Sequence, residues 1–306
     1  MIGECYNPAA NTRSVIPFTP FLNPCKHHAN YFQPVLLMSM PAPELTREII
    51  DTANDLADIA REVTLGWFRR KTDVDSKQDR SPVTIADRET EHRMRELIES
   101  RFPDHGIFGE EYGVKSGQSE WLWTLDPIDG TKSFVSGKPT FGSLIALRFG
   151  SDNLLGIIEM PALGERWLGI AGDQTCFNQQ ACRTSETRDL EDAVLLCTTP
   201  DMFNQAEWGI FNVVSNRARV RNFGTDCLGY GLLASGHTDI VMEADLKPYD
   251  YLALIPIVQG AGGIITDWQG EPLNDSCDGR VLACANQVLH SQALDMIAEA
   301  SGQVAS

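Results

Sequence analysis

The sequence predicts a layered α/β (α+β) fold, with helices packed on a largely antiparallel sheet followed by a mixed second half. Three observations lead there. Apolar residues recur at three- and four-residue steps from Ile49 to Val63; four apolar runs with short turns between them fill 121–172; and strand-like and helix-like segments alternate after that.

The elements follow in order. Ile49, Ile50, Ala53, Leu56, Ala57, Ala60 and Val63 form one face of a long helix. Ala86, Arg93, Met94, Leu97 and Ile98 mark a second helix, closed by the turn FPDHG. WLWTL, GSLIALRF, LLGIIEM and RWLGIAG then read as neighbouring strands. In the second half, AVLLCTT, DIVMEA and GGIIT read as strands, and 203–215, 227–235 and 251–259 as helices. Trp121, Trp123 and Trp167 are expected in the core or at a dimer interface, and His92 and His237 at surface or packing positions.

Residues 1–42 differ. They hold a single acid, Glu4, and no helical or strand period, so a disordered or processed extension is expected, with 43–306 as one domain (halves about 43–185 and 186–306). No apolar core with a small-residue cleavage site marks a secretory signal. A transit peptide and an over-long start, with Met38 and Met40 just before the ordered pattern, are the alternatives.

Composition narrows the function classes. With 42 % apolar and 22 % charged residues the chain reads as globular, and its longest apolar runs, such as 144–147, cannot span a bilayer. A net charge of -17, from 42 acids against 25 bases, argues against a nucleic-acid partner. The 8 cysteines include no C-x-x-C pair, which suits a reducing, cytoplasmic setting; the plastid is the alternative if 1–42 is a transit peptide.

The chemistry begins at DPIDGT. A strand ends at Leu125, and Asp126 and Asp129 flank the turn at Pro127. Carboxylates three apart around such a turn can converge on one point, where they repel unless protons or cations neutralise them. Oxygen ligands of this kind suit Mg²⁺ or Mn²⁺. Gly130 and Thr131 then open a helix or turn whose free N–H groups can face an anion. Upstream stand Thr84 and Asp87 at a helix start and the FGEEYG turn with Glu110 and Glu111; downstream, Asp250 follows a proline. Taken singly, Asp87 and Asp250 read as helix caps and the Glu pair as a solvated loop.

Together, Gly109-Glu110-Glu111, Asp126-Pro127-Ile128-Asp129-Gly130-Thr131 and Pro248-Tyr249-Asp250 resemble the inositol-monophosphatase-like, Mg²⁺-dependent phosphatases, in family order, from about Pro43 to the C-terminus. The resemblance implies a layered αβαβα sandwich of the inositol-monophosphatase / fructose-bisphosphatase type, a homodimer, and two or three Mg²⁺ per site, with Mn²⁺ as substitute. It implies one metal on Glu110, Asp126 and the Ile128 carbonyl, and a second on Asp126, Asp129 and Asp250. Asp87 and Thr131 match the pair that supports the attacking water, with Glu110 beside them, and Asp129, Gly130, Thr131 and Lys132 face the phosphate. The implied reaction is metal-assisted in-line displacement on a small phosphate monoester.

Two stretches point to a branch. SFVSGKPTFGSLIAL and RVRNFGTDCLGYGLLASGHTDIVMEADLKPYD resemble the histidinol-phosphate phosphatases, with K-P-Y-D in place of C-W-D. Asp226 stands where inositol enzymes commonly carry a small residue, and Glu243 matches the position that contacts the leaving group. Acidic receptors suit the protonated amine of histidinol. Asp226 could instead cap the helix beginning at Cys227, and Glu243 could be a surface strand residue. Arg221 and Asn222, just before the same loop, are further candidates for phosphate or substrate. The implied activity is hydrolysis of L-histidinol phosphate; an inositol-1-phosphate or broad sugar-phosphate phosphatase, and a catalytically silent binding subunit, are the alternatives.

Overall fold

The computed structural model describes residues 43–70 and 82–304, all within one compact unit; the expected extension 1–42 lies outside the described residues. Helices α1 (Pro43–Trp67) and α2 (Pro82–Arg101) come first. Strands β1 (Gly106–Gly109), β2 (Gly113–Lys115) and β3 (Trp121–Asp129) follow, then the one-turn helix α3 (Thr131–Val135). Strands β4 (Gly142–Phe149), β5 (Asp152–Met160), β6 (Glu165–Ile170), β7 (Cys176–Phe177) and β8 (Gln180–Ala181) complete an eight-stranded sheet ordered β2-β1-β3-β4-β5-β6-β7-β8. Every pair in it is antiparallel except β1 with β3.

The second sheet is mixed. It contains β9 (Val194–Cys197), β10 (Val220–Phe223), β11 (Ile240–Glu243), β12 (Ile264–Thr266) and β13 (Val281–Cys284), ordered β10-β9-β11-β13-β12. Between and after these strands lie α4 (Gln205–Ser215), α5 (Leu228–Ala234), α6 (Pro248–Tyr251), α7 (Leu254–Gly260) and α8 (Gln287–Val304).

Three apolar interfaces make the layers. The α1 face Ile49, Ala53, Leu56 and Ala57 packs with Met94 and Ile98 of α2 onto Trp123, Leu125 and Ile145. On the other side of that sheet, Leu144, Ile158 and Trp167 meet Tyr230 and Leu233 of α5 and Leu254 and Ile257 of α7, which also cover Val241 and Ala283 of the second sheet. Its outer face, with Leu195, Met242 and Leu282, is closed by Phe211 of α4 and Leu289, Ala293 and Ile297 of α8. The result is the αβαβα order the resemblance implies. Each fully buried Leu or Ile contributes about 1.5–3 kcal/mol, which makes these three seams the main source of stability.

A buried charged network pins α1 to the first sheet. Glu159 of β5, with no exposed surface, takes Arg61 at 2.5 Å and Arg166 at 2.6 Å, and Arg166 also reaches Asp58 of α1 at 2.6 Å. Its charges are mutually satisfied, so removing one partner would strand the others.

Some expectations need correction. Arg93 does not belong to the buried stripe of α2; its guanidinium turns out to Glu62 of α1 at 2.9 Å. The helix expected from 203 begins at Gln205, because Asn204 caps it and Glu207 closes a capping box. The helix expected over 251–259 is two pieces, α6 and α7. Trp123 and Trp167 are core residues, whereas Trp121 is half-buried, stacked on His105 at 5.5 Å.

Candidate active site

The site is built at the end of β3. On a regular strand, residues three apart point to opposite faces. Here the β3–β4 register slips between Asp126, paired with Leu144, and Asp129, paired with Gly142: three steps on β3 match two on β4. That bulge cancels the alternation and brings both carboxylates to one side. Ser143 of β4 fastens it, its buried hydroxyl donating to the Pro127 carbonyl at 2.5 Å.

Gly130 completes the turn in the left-handed region at φ +83°, and a Cβ there would fall 2.6 Å from Asp226 Cγ. Both facts require glycine. The chain then enters α3, where the Phe134 N–H donates to Gly130 O at 3.0 Å.

Asp250 arrives from α6. Its carboxylate accepts the Lys247 N–H at 2.7 Å, so it does serve its helix start, and it also faces the turn. Oxygen atoms of Asp126, Asp129 and Asp250 lie within 4.8 Å of one another. Asp129 also accepts the Cys227 N–H at 2.5 Å. Glu110, just past the end of β1, donates its N–H to Leu125 O at 3.2 Å, and its carboxyl group faces that of Asp126.

The electrostatics fit a cation site. Burial, then the charges of Asp129, Glu110, Asp250 and Asp87, holds Asp126 well above the usual carboxylate range. Burial, then Asp226 and Asp250, does the same to Asp129, against the opposing pull of the Cys227 N–H. Asp250 is pushed up to about 7 by burial and by Glu110, although the Lys247 N–H opposes the shift. Burial and mutual repulsion favour the protonated forms of these acids, and a divalent cation would relieve the same repulsion. Asp126 Oδ1 is buried without a hydrogen-bond partner, and the donors are all hard oxygens, so the residues fit Mg²⁺.

Asp87 is not a cap. It sits in the second turn of α2, buried, with Oδ1 unpartnered, and is raised to about 8 by burial, then by Glu110 and Glu111.

One cavity gathers most of the candidates. Glu110, Asp126, Ile128, Asp129, Gly130 and Thr131 line it together with Asp226, Glu243 and Asp250, and with Thr198, Met202 and Tyr230. Thr131 Oγ1 reaches the Ile128 carbonyl at 3.4 Å. Glu243 is buried and not a surface strand residue: it accepts the Thr198 N–H at 2.8 Å and the Tyr230 hydroxyl at 2.9 Å. Asp226 does not cap α5 with its side chain; its Oδ2 accepts the Ser133 hydroxyl at 2.6 Å and lies against Gly130.

Three candidates lie apart from this cavity. Lys132 stands at its rim, 81 % exposed and 3.7 Å from Asp201. Arg221 sits on the exposed edge strand β10 and turns back to Asn212 and Ser215, each at 3.0 Å. Asn222, beside it, accepts the Phe223 N–H at 2.8 Å. Sequence reading missed Ser143, Thr198, Met202 and Tyr230, none of which carries a spacing signal.

Comparison with known proteins agrees with the geometry. The profile of the "Inositol monophosphatase family" matches residues 45–304. The chain is 42 % identical over 253 residues to "Bifunctional phosphatase IMPL2, chloroplastic" of Arabidopsis thaliana, covering 80 % of this chain and 73 % of that protein. It is 35 % identical over 243 residues to "Histidinol-phosphatase" of Chlorobaculum parvum, covering 78 % and 93 %. Among solved structures, an inositol monophosphatase from Zymomonas mobilis superposes with a TM-score of 0.78 at 41 % identity, covering 82 % of this chain and 98 % of that one. With a matching fold and a family profile that covers nearly all the described residues, this chain belongs to the inositol monophosphatase family.

Proposed function

We propose that this chain is a Mg²⁺-dependent phosphomonoesterase that hydrolyses L-histidinol phosphate to L-histidinol and phosphate. The observation that carries the substrate is a pair of buried acids in the cavity wall, Asp226 beside the DPIDGT turn and Glu243 at the end of β11. A leaving group with a protonated amine gains from such a wall, and a neutral polyol gains little. The name of the Chlorobaculum parvum relative supports the same choice.

Glu110, Asp126 and the Ile128 carbonyl would hold one Mg²⁺, and Asp126, Asp129 and Asp250 a second. Bound cations would supply charge neutralisation and Lewis acidity at the attacking water and the leaving oxygen. The protein does the rest by positioning. Asp87 and Thr131 orient the water, and Asp87 accepts its proton. The N–H groups of Gly130 and Thr131 seat the phosphate. Lys132 reaches it by leaving Asp201, an exposed pair worth at most about 1 kcal/mol. The water oxygen bonds to phosphorus as the ester P–O bond breaks, and the leaving alcohol gains one proton as the water loses one. Asp226 and Glu243 bind the leaving group; Arg221 and Asn222, which stand outside the cavity lining, take no direct part in this reading.

The catalytic domain spans 43–306 and acts as a homodimer, in the cytoplasm. Plastid import through 1–42 is the alternative, which the name of the Arabidopsis relative favours.

A second reading, inositol-1-phosphate or broad sugar-phosphate hydrolysis, is favoured by the likeness to the Zymomonas mobilis inositol monophosphatase. Phosphate release with Mg²⁺ from histidinol phosphate and inositol-1-phosphate, measured side by side, decides between them. The proposal expects a kcat/KM preference of at least ~100-fold for histidinol phosphate, roughly 2.7 kcal/mol. Comparable or reversed rates would sink it.

A further inference from the structure

Glu91 lies one turn after Asp87 on α2, and no surface of it is exposed. A fully buried carboxylate needs partners, and the ones it has all serve the turn that carries Glu110. Oε2 accepts the Glu111 N–H at 2.7 Å, and Oε1 accepts the Tyr112 N–H at 3.3 Å. Arg95, one turn further along α2, donates from Nε to Oε1 at 2.7 Å and from Nη2 to the Gly113 carbonyl at 2.5 Å. A Cβ on Gly109 would fall 2.0 Å from Glu91 Oε1, so this glycine exists to let the carboxylate in. Glu110 is therefore held on both sides, by its own N–H to Leu125 and by the Glu91 clamp on the next two residues.

We propose that Glu91, locked by Arg95, is a positioning residue that fixes the Glu110 carboxylate against Asp126 and so sets the affinity of the site for its divalent cation. Because Asp87 is on the same helix, the clamp also ties Glu110 to the residue that orients the water. The inference rests on reading Glu110 as a metal ligand but not on the identity of the substrate.

The test is Mn²⁺ binding to the full-length, substrate-free protein, followed by the electron paramagnetic resonance signal of free Mn²⁺. Thermal midpoints in chelator are recorded alongside. Glu91→Gln keeps the shape but loses the Arg95 ion pair. Arg95→Lys keeps the net charge but loses the fork that spans Glu91 and Gly113. Ile98→Val, which thins the buried face of the same helix, serves as the stability control. The expected result is Mn²⁺ binding at least fivefold weaker in both clamp variants and unchanged in Ile98→Val. Weakening below fivefold in both, whatever the thermal midpoint does, would overturn the proposal. Weakening in Glu91→Gln alone would also overturn it, since lost charge and not lost geometry would then be responsible. If Glu91→Gln does not fold, Arg95→Lys is judged against the same threshold. Unchanged Mn²⁺ binding in Glu110→Gln would remove the ligand assignment itself, and the proposal with it.

Discussion

Asp226→Asn separates the two substrate readings. In the native protein Asp226 Oδ2 accepts the Ser133 hydroxyl at 2.6 Å and the Thr140 hydroxyl at 3.4 Å, so truncation to Ala would orphan a buried hydroxyl and confuse structural loss with lost recognition. Asn keeps an acceptor there and removes only the charge. Hydrogen bonds to charged groups contribute about 1.5–3 kcal/mol. Losing the charge should therefore lower kcat/KM for histidinol phosphate by about 10- to 150-fold. Inositol-1-phosphate, with no amine to pair, should lose less than about threefold on the same arithmetic. The thermal midpoint should stay within about 3 °C of the parent, because an acceptor for Ser133 remains. Steady-state phosphate release on both esters, at saturating Mg²⁺, reads all of this. An equal fall on both substrates, or no fall on either, would refute the assignment of Asp226 to the leaving group.

Three further outcomes are expected. Gly130→Ala must place Cβ 2.6 Å from Asp226 Cγ and hold a left-handed backbone at φ +83°. It should cost about 2–4 kcal/mol in urea unfolding, from left-handed strain and the displaced Asp226 contact, and abolish turnover; a parental midpoint would contradict this. Asp87, raised to about 8, and Asp250, raised to about 7, both start from an ordinary value of 3.8. Across that window the native state binds more protons than the unfolded one, so metal-free stability should fall as pH rises from about 4 to about 8. Melting in chelator at pH 5 and 8.5 checks the sign, Mg²⁺ should flatten the slope, and a midpoint that rises with pH would contradict it. Asp126→Asn should raise the metal-free midpoint, because it removes a buried acid ringed by others, while eliminating both turnover and the Mg²⁺-induced shift. A lower midpoint in chelator would show that the acid is not a net burden.

Much of this architecture is legible in the chain itself. The α1 stripe is regular enough to fix both the helix and its buried side, and the D-P-x-D spacing announces converging carboxylates before any coordinates. Two strands of the second sheet escape: β10 carries Arg221 and Asn222 and has no apolar run, and β13, no longer than the legible β9 and β11, finds its partners far away in sequence. The face of α8, with Leu289, Ala293, Ile297 and Ala300, does carry a helical period that could have been read. The environment of each acid is set by tertiary contacts, which explains why the sequence left Asp226 open between substrate contact and helix cap, and Glu243 between substrate contact and surface strand. Ser133 approaches Asp226 from 93 positions away, and Thr198 approaches Glu243 from 45. Arg221 shows the converse: its place just before the substrate loop suggested a ligand, yet its strand lies at the sheet edge and the guanidinium is satisfied by α4.

The cavity draws its two walls from different sheets. Glu110, Asp126 and Asp129 come with the eight-stranded one, while Thr198, Tyr230 and Glu243 come with the five-stranded one and its helices. On the proposed reading, selectivity is drawn mainly from the second stretch of the chain, whereas the acid cluster draws on both through Asp250. Substitutions after residue 190 that spare Asp250 would then retune which alcohol departs while leaving the acid cluster in place, so one hydrolytic engine could be refitted to new esters by drift in that half of the chain.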